Sequence, residues 1–134
     1  MVNNTCTIIE LKSIYIWLFL FYINLLIQVI IGCRDVKRGQ DAADDINKDK
    51  RVKNNGKVYF KQLDLASFES IRKFANEINN EEEVIDILIN NAGVMFAPQE
   101  TRTKEGFEMH FGVNHLGHFL LTMLLLEKLK QSKS

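Results

Sequence analysis

Three apolar stretches of this 134-residue sequence end in polar residues that could bind a nucleotide. The stretches cover residues 28–33, 57–63 and 84–89, and they are followed by Arg34 and Asp35, by Asp64 and Leu65, and by Asn90-Asn91-Ala92-Gly93. A guanidinium such as that of Arg34 can bind a phosphate through two parallel hydrogen bonds, whereas a carboxylate there would accept from ribose hydroxyls. Asp64 could accept a hydrogen bond from the exocyclic amine of a base.

Each of these features also has an ordinary explanation when it is taken alone. Arg34 fits a surface arginine, Asp64 fits a cap for the following helix, and residues 90–93 fit a turn, because asparagine bonds readily to its own backbone. For Arg34 and Asp64 alone the ordinary explanation is favoured, and residues 90–93 alone could be only a turn.

A further group of polar residues lies inside a long apolar pattern, at Asn114, His115 and His118. Asn114 is unexpected in an apolar helix because its amide competes for backbone hydrogen bonds. We interpret it as a buried amide that is either a satisfied core group or part of a proton path. The two histidines lack a third ligand at matching spacing, so the sequence predicts no metal site.

The elements that must position these residues alternate regularly along the chain. Residues 28–33, 57–63 and 84–89 are short, β-branched and apolar, which predicts buried strands. Residues 36–49, 67–78 and 106–130 have helical spacing, with Ser67 as an N-cap. Strand and helix in alternation predict the α/β class, a parallel sheet with helices on both faces. The carboxyl ends of its strands meet at one edge, where ligands of such sheets bind.

The N-terminal segment, residues 1–27, differs from the rest of the chain. Residues 14–31 contain only Asn24 and Gln28 as polar residues, and as a helix they would measure about 27 Å, enough to cross a membrane. We predict an apolar N-terminal helix and membrane anchor, with a buried helix or strands of a soluble domain as the alternative. If residues 28–33 form a strand, residues 14–27 give only about 21 Å of helix, which is short for a span. An unrelated leader sequence is a further alternative for this segment.

The overall composition excludes several classes of function. Seventeen basic and seventeen acidic residues leave no net charge, so nothing indicates nucleic-acid binding. Cys6 and Cys33 are the two cysteines and form neither a disulfide framework nor a redox or metal motif.

Taken together, the motifs resemble the short-chain dehydrogenase/reductase family, close to its retinol dehydrogenase-like branch. The resemblance rests on Cys33-Arg34-Asp35, on Leu63-Asp64-Leu65-Ala66-Ser67, on residues 86–95 (DILINNAGVM), on Gly106-Phe107-Glu108 and on residues 111–122 (FGVNHLGHFLLT). It covers residues 29–130 and implies that residues 28–134 form a partial Rossmann-type dinucleotide-binding domain.

The resemblance also implies roles for individual residues. Arg34 would recognise the 2′-phosphate of NADP, Asp64 and Leu65 would flank the adenine, and Asn114 would support the proton relay. The adenine-ribose side would be lined by Asn90, Asn91, Ala92 and Gly93. The substrate would be a lipophilic alcohol or carbonyl compound such as retinol or retinal. A membrane location, in the endoplasmic reticulum, and a dimer through the helix 106–130 are implied as well, with a cytoplasmic location as the alternative.

Two features of the family are missing from this sequence. No glycine precedes Gly32, whereas the family carries a Thr-Gly-x-x-x-Gly-x-Gly turn that holds the pyrophosphate. The residues four positions after Tyr15, Tyr22 and Tyr59 are not lysines, so the family's Tyr-x-x-x-Lys pair is absent. We therefore expect a fragment of an NADP-dependent oxidoreductase that is inactive alone. The alternative is a membrane-attached, non-catalytic interaction protein derived from the same fold.

Overall fold

The structure is a computed structural model that describes residues 6–10, 28–50 and 56–132. Four parallel strands form one sheet in the order β3-β2-β1-β4. The elements are β1 (Cys6–Glu10), β2 (Gln28–Cys33), α1 (Val36–Lys48), β3 (Lys57–Gln62), α2 (Phe68–Glu81), β4 (Ile87–Ile89) and α3 (Met109–Lys130).

The centre of the sheet differs from the sequence prediction. We predicted that the first strand begins at Gln28, but β1 precedes it and lies between β2 and β4. Its backbone pairs in parallel with β2, with Cys6 opposite Gln28, and with β4, with Thr7 opposite Ile87. Residues 6–10 were missed because they were grouped with the apolar N-terminal segment. The rest of that segment, residues 1–5 and 11–27, lies outside the described residues, and so does the predicted N-terminal helix.

Strand β2 shows how the sheet is covered. Val29 and Ile31 contact Ala43 and Ile46 of α1 on one face, while Ile30 belongs to the core cluster on the opposite face. This alternation follows from the two-residue period of a strand. Val29, Ile30 and Ile31 are each at most 1% exposed, so this part of the apolar run belongs to the buried sheet, as the strand prediction requires.

The helices begin where the sequence places their caps. Asp35 caps α1, and Ser67 caps α2 by accepting a hydrogen bond from the backbone N–H of Ser70, as predicted. Helix α2 buries Ile71, Phe74, Ala75 and Ile78 against the face of the sheet opposite α1. The prediction of a parallel sheet with helices on both faces is therefore confirmed.

Helix α3 is not a uniform α-helix. A first turn at Met109–Phe111 leads into a π-helical segment at Gly112–Gly117, and an α-helix follows at His118–Lys130. By length and composition α3 is apolar enough to cross a membrane, but in this fold its Leu121 and Leu125 are fully buried in the core shared with α2.

Candidate nucleotide-binding site

The strand order creates the kind of crevice in which α/β sheets bind ligands. The chain proceeds outward from β1 through β2 to β3, and it then returns to β4 on the other side of β1. In parallel sheets, ligands bind outside the carboxyl ends of the strands where the order reverses. The polar residues after β2, β3 and β4 all follow carboxyl ends at this edge. The sequence motifs therefore lie at the edge that is suited to a nucleotide.

The end of β2 carries an exposed guanidinium and a carboxylate that is hydrogen-bonded to the backbone of the next helix. Oδ1 of Asp35 accepts a hydrogen bond from the backbone N–H of Arg38 at 2.9 Å, so this carboxylate caps α1. Arg34 and Lys37 are exposed, and within the described part of the chain no acidic side chain pairs with either of them or with Arg38. The positive end of the helix dipole lies at the same place. This corner of the sheet is suited to an anion.

Asp64 shapes the turn after β3. Its Oδ1 accepts a hydrogen bond from the backbone N–H of Ala66 at 2.9 Å, and its own backbone N–H donates to Oγ of Ser70 at 3.0 Å. Because Ser67 is the N-cap of α2, Asp64 organises the turn before that cap rather than capping the helix itself.

Leu65 is placed by the structure in the protein core. Its side chain is only 7% exposed and belongs to the cluster between the sheet, α2 and α3. Only the backbone of Leu65 is therefore available to a ligand at the sheet edge. Gly117 of α3 lies directly against it, because a Cβ on Gly117 would lie 2.7 Å from the Leu65 carbonyl oxygen.

Asn114 fixes the loop after β4. Its Oδ1 accepts a hydrogen bond from the backbone N–H of Val94 at 2.7 Å, and its Nδ2 donates to the Val94 carbonyl at 3.0 Å. The interpretation of Asn114 as a buried amide is wrong, since the residue is exposed. Its polar atoms are satisfied by the backbone of the loop, and this contact explains why an asparagine is compatible with an apolar helix.

Two more residues of α3 bond to the same loop. Nε2 of His118 lies 2.6 Å from the Ala92 carbonyl oxygen and donates to it, because a carbonyl only accepts. Nδ2 of Asn90 donates to Oγ1 of Thr122 at 3.0 Å. The sequence motif 90–93 is thus held along one face of α3. Asn91 and Gly93 belong to this held segment, and Gly93 is packed so closely that an added Cβ would lie 3.3 Å from Oδ1 of Asn114.

The two histidines that were considered as metal ligands have separate environments. His115 is exposed and stacks between Phe111 and Phe119, with ring centroids 5.4 and 6.4 Å away. His118 is buried against the loop after β4. Across residues 6–10, 28–50 and 56–132, no group of three potential ligands is arranged around a metal site.

Sequence reasoning missed the contribution of Glu108 and His110 at the start of α3. The carboxylate of Glu108 accepts hydrogen bonds from the backbone N–H groups of His110 and Phe111, both at 2.8 Å. These two bonds, followed by a contact to the His110 ring, lower the pKa of Glu108 from 4.5 to about 2. Glu108 lies directly before α3, where the positive end of the helix dipole favours a carboxylate.

Comparison with known proteins agrees with this geometry. The profile of the short chain dehydrogenase family matches residues 26–134. Human retinol dehydrogenase 13 is 58% identical over 104 residues, which cover 78% of this chain and 30% of that protein. Mouse retinol dehydrogenase 12 is 54% identical over 105 residues, which cover 78% of this chain and 32% of that protein.

A solved structure shares the fold at lower identity. The Pseudomonas aeruginosa RhlG/NADP active-site complex superposes with a TM-score of 0.71 at 23% identity, and the match covers 98% of this chain and 50% of that one. The fold defines an α/β protein of the Rossmann type. The chain belongs to the short-chain dehydrogenase family, in its retinol dehydrogenase-like branch. It spans about a third of the length of these retinol dehydrogenases.

Proposed function

We propose that this chain provides the adenosine-binding half of an NADP-dependent oxidoreductase that interconverts alcohols and carbonyl compounds. The observation that carries the proposal is that the two charged side chains at the end of β2 have different roles. The Asp35 carboxylate is used as a helix cap, whereas the Arg34 guanidinium is exposed at the adjacent position. A carboxylate would select the ribose hydroxyls of NAD, and a free guanidinium selects a 2′-phosphate.

The neighbouring charges support the same preference. Lys37 and Arg38 lie in the first turn of α1, close to Arg34 in the sequence, and that turn has no acidic residue. A dianionic phosphate at this corner would lie near the Arg34 guanidinium, the basic first turn of α1 and the helix N-terminus, with the Asp35 carboxylate engaged in the cap. RhlG, a structural relative, was solved as a complex with NADP, which agrees with this assignment.

The other site residues have defined places in the proposal. Asp64 and the backbone of Leu65 lie beside the adenine, while Asn91, Ala92 and Gly93 line the adenine-ribose side. Asn114 supports the proton relay of the assembled active site, as the family resemblance implies, from a position fixed by Val94.

A binding measurement tests the nucleotide preference without requiring catalysis. Adenosine 2′-monophosphate and adenosine 5′-monophosphate would be titrated into the purified chain, followed by NADP⁺ and NAD⁺. Arg34→Ala should weaken the 2′-phosphorylated ligands roughly ten- to hundredfold, since hydrogen bonds to charged groups contribute about 1.5–3 kcal/mol. The ligands without a 2′-phosphate should be almost unaffected.

Arg72→Ala is the matched control, because Arg72 is an exposed arginine on α2 and not at the carboxyl end of β2. Equal losses for both classes of ligand in Arg34→Ala would show that Arg34 is structural. A wild-type chain that does not distinguish the two monophosphates would refute the assignment of the 2′-phosphate site.

Hydride transfer needs parts that these 134 residues do not contain. Residues 11–27, which follow β1, include no glycine, and no Tyr-x-x-x-Lys pair occurs in the sequence. A pyrophosphate turn and a proton donor would both have to be supplied for turnover. The proposal therefore assigns binding to this chain and the complete reaction, with a lipophilic alcohol or carbonyl substrate, to a complete protein.

Membrane association is part of the same proposal. Residues 14–27 contain no charged side chain, and their only polar residue is Asn24. Such a segment favours the bilayer or its interface, even though about 21 Å of helix is short for a span. Carbonate extraction of cells that express a tagged chain should leave it in the membrane pellet; recovery in the supernatant would refute insertion and favour the cytoplasm.

An exposed aromatic stripe on α3 supports the proposed dimer. Phe111, Phe119 and Met123 are each more than half exposed, and His115 stacks between the two phenylalanines. A stripe of this kind is typical of an interaction surface. Replacing Phe119 with Glu should convert a dimer into a monomer in sedimentation velocity, and a wild-type chain that is monomeric at high concentration would contradict the dimer.

A further inference from the structure

Four side chains of α3, spaced four residues apart, bond in reverse order to the loop after β4. Thr122 bonds to Asn90, His118 to Ala92, Asn114 to Val94 and His110 to Ala97. We call this set the α3 ladder. The loop is therefore attached to the helix at regular intervals along residues 90–97.

The π-helical segment explains how four residues at this spacing can share one face. An α-helix advances about 100° per residue, so each four-residue step drifts about 40° and three steps drift about 120°. A π-helix closes i→i+5 hydrogen bonds and takes more residues per turn, so it drifts in the opposite direction. Gly112–Gly117 lies between the His110 and His118 rungs and contains the Asn114 rung. It counteracts the drift and keeps the rungs over the loop.

His118 is the buried rung of the ladder. It is 8% exposed, and its 2.6 Å contact to the Ala92 carbonyl requires a proton on Nε2. His110 needs the opposite tautomer. Its Nδ1 lies 2.8 Å from Oε1 of Glu108 and donates to that carboxylate, while Nε2 accepts from the Ala97 N–H at 3.3 Å.

Between the Asn114 and His110 rungs, the backbone of the loop is held in an unfavourable conformation. Phe96 has a φ of 56°, a region that bulky residues rarely adopt, and its side chain is 90% exposed. Such a conformation persists only where surrounding contacts impose it. The flanking rungs, Asn114 to Val94 and His110 to Ala97, supply such contacts.

We propose that His118 is a positioning residue that holds the Ala92 carbonyl, and with it residues 90–94, in the conformation that the nucleotide edge requires. The nucleotide part of this inference rests on the proposed function; the hold on the loop does not. His118 acts through the backbone of the loop and touches no reacting atom.

The first test is the tautomer of each histidine in the wild-type chain. Nitrogen-15 spectra of the imidazoles at neutral pH should show His118 with its proton on Nε2 and His110 with its proton on Nδ1. A neutral His118 that carries its proton on Nδ1 would overturn the proposal, because that ring cannot donate to Ala92.

The second test compares three variants by amide hydrogen exchange of Val94 relative to Ile71, a core amide of α2. His118→Ala should speed exchange at Val94 roughly three- to tenfold over Ile71. His118→Gln keeps an N–H donor and should recover much of the protection. Leu125→Ala is the control, because Leu125 is fully buried in the same helix and makes no rung. Leu125→Ala should speed hydrogen exchange at Val94 and Ile71 together.

Each result decides the proposal. An unchanged ratio of Val94 to Ile71 exchange in His118→Ala, or the same pattern in His118→Ala and Leu125→Ala, would overturn it. If His118→Ala does not fold, the exchange ratio of His118→Gln and the tautomer of His118 in the wild-type chain decide the proposal. Adenosine 2′-monophosphate is then titrated separately: weaker binding to His118→Ala than to wild type extends the positioning role to the ligand. Absence of binding to wild type refutes the proposed function and leaves the exchange result to judge His118.

Discussion

The contact between Gly117 and Leu65 allows a quantitative prediction about how α3 meets the nucleotide edge. Replacing Gly117 with Ala would place a Cβ 2.7 Å from the Leu65 carbonyl oxygen and 3.1 Å from the Leu65 Cβ. It would also lie 3.3 Å from the carbonyl oxygen of Gly112. Two of these three neighbours are backbone atoms, which cannot rotate away. The helix itself must therefore move from the turn after β3.

Two effects of opposite sign determine how much Gly117→Ala changes the free energy of unfolding. Alanine is favoured over glycine within a helix by up to about 1 kcal/mol. Overpacking a tight contact costs about 1–3 kcal/mol, and here the obstacle is backbone, which favours the upper part of that range. We expect Gly117→Ala to lower the free energy of unfolding by about 1–2 kcal/mol.

Urea unfolding followed by circular dichroism measures this difference. Glu127→Ala is the control, because Glu127 is an exposed position on the same helix and its ion pair with Lys130 lies at the surface. Its effect should stay within about 0.5 kcal/mol. Gly117→Ala should also weaken binding of adenosine 2′-monophosphate, since Leu65 lies at the proposed edge. A Gly117→Ala chain that is as stable as wild type, or more so, would show that α3 does not press on Leu65.

Three further predictions concern the caps and the chemistry. Asp35→Ala should cost about 1 kcal/mol in urea unfolding, and Asp35→Ser should keep most of the capping energy; equal stability of both variants would contradict the cap. The pKa of Glu108 is lowered to about 2 from 4.5, so its contribution to stability is present above about pH 4.5 and is lost as the pH falls through about 2. The difference in melting temperature between wild type and Glu108→Gln should therefore shrink over that range, and a constant difference would argue against it. Finally, the purified chain with NADPH and retinal should form no product above a denatured control. Cofactor-dependent turnover would refute the proposal that this chain contributes nucleotide binding but not the complete reaction.

Local patterns made most of the fold predictable. Helices α1 and α2 have apolar residues on one face and a capping residue at the first turn, and both signals act over a few residues. Strand β2 is apolar on both faces, which predicts burial between two layers. These elements therefore appear close to the predicted bounds.

Non-local contacts account for the differences between the predicted and the observed structure. We predicted a strand over residues 84–89, but β4 covers only Ile87–Ile89, and the backbone N–H of Ile85 instead donates to the carbonyl of Lys128 in α3 at 3.3 Å. Asn114 was recognised as unusual and His118 was considered as a metal ligand, but their partners lie 20 and 26 residues away in the loop after β4. No periodicity in the sequence reports a bond between a side chain and a distant carbonyl.

Strand β1 shows why the fold can form without the cofactor turn of the family. The sheet needs a central strand, because β2 and β4 would otherwise each present an unpaired edge. Any extended segment of suitable length can supply those backbone hydrogen bonds, since the ladder is made by peptide groups. A pyrophosphate turn is more demanding, because it requires glycines where the backbone approaches the phosphates closely. Residues 11–27 contain none. The backbone requirement of the sheet is therefore met at β1 while the chemical requirement of the cofactor is not, and binding should depend on the edge formed by Arg34, Asp64 and the loop held by α3.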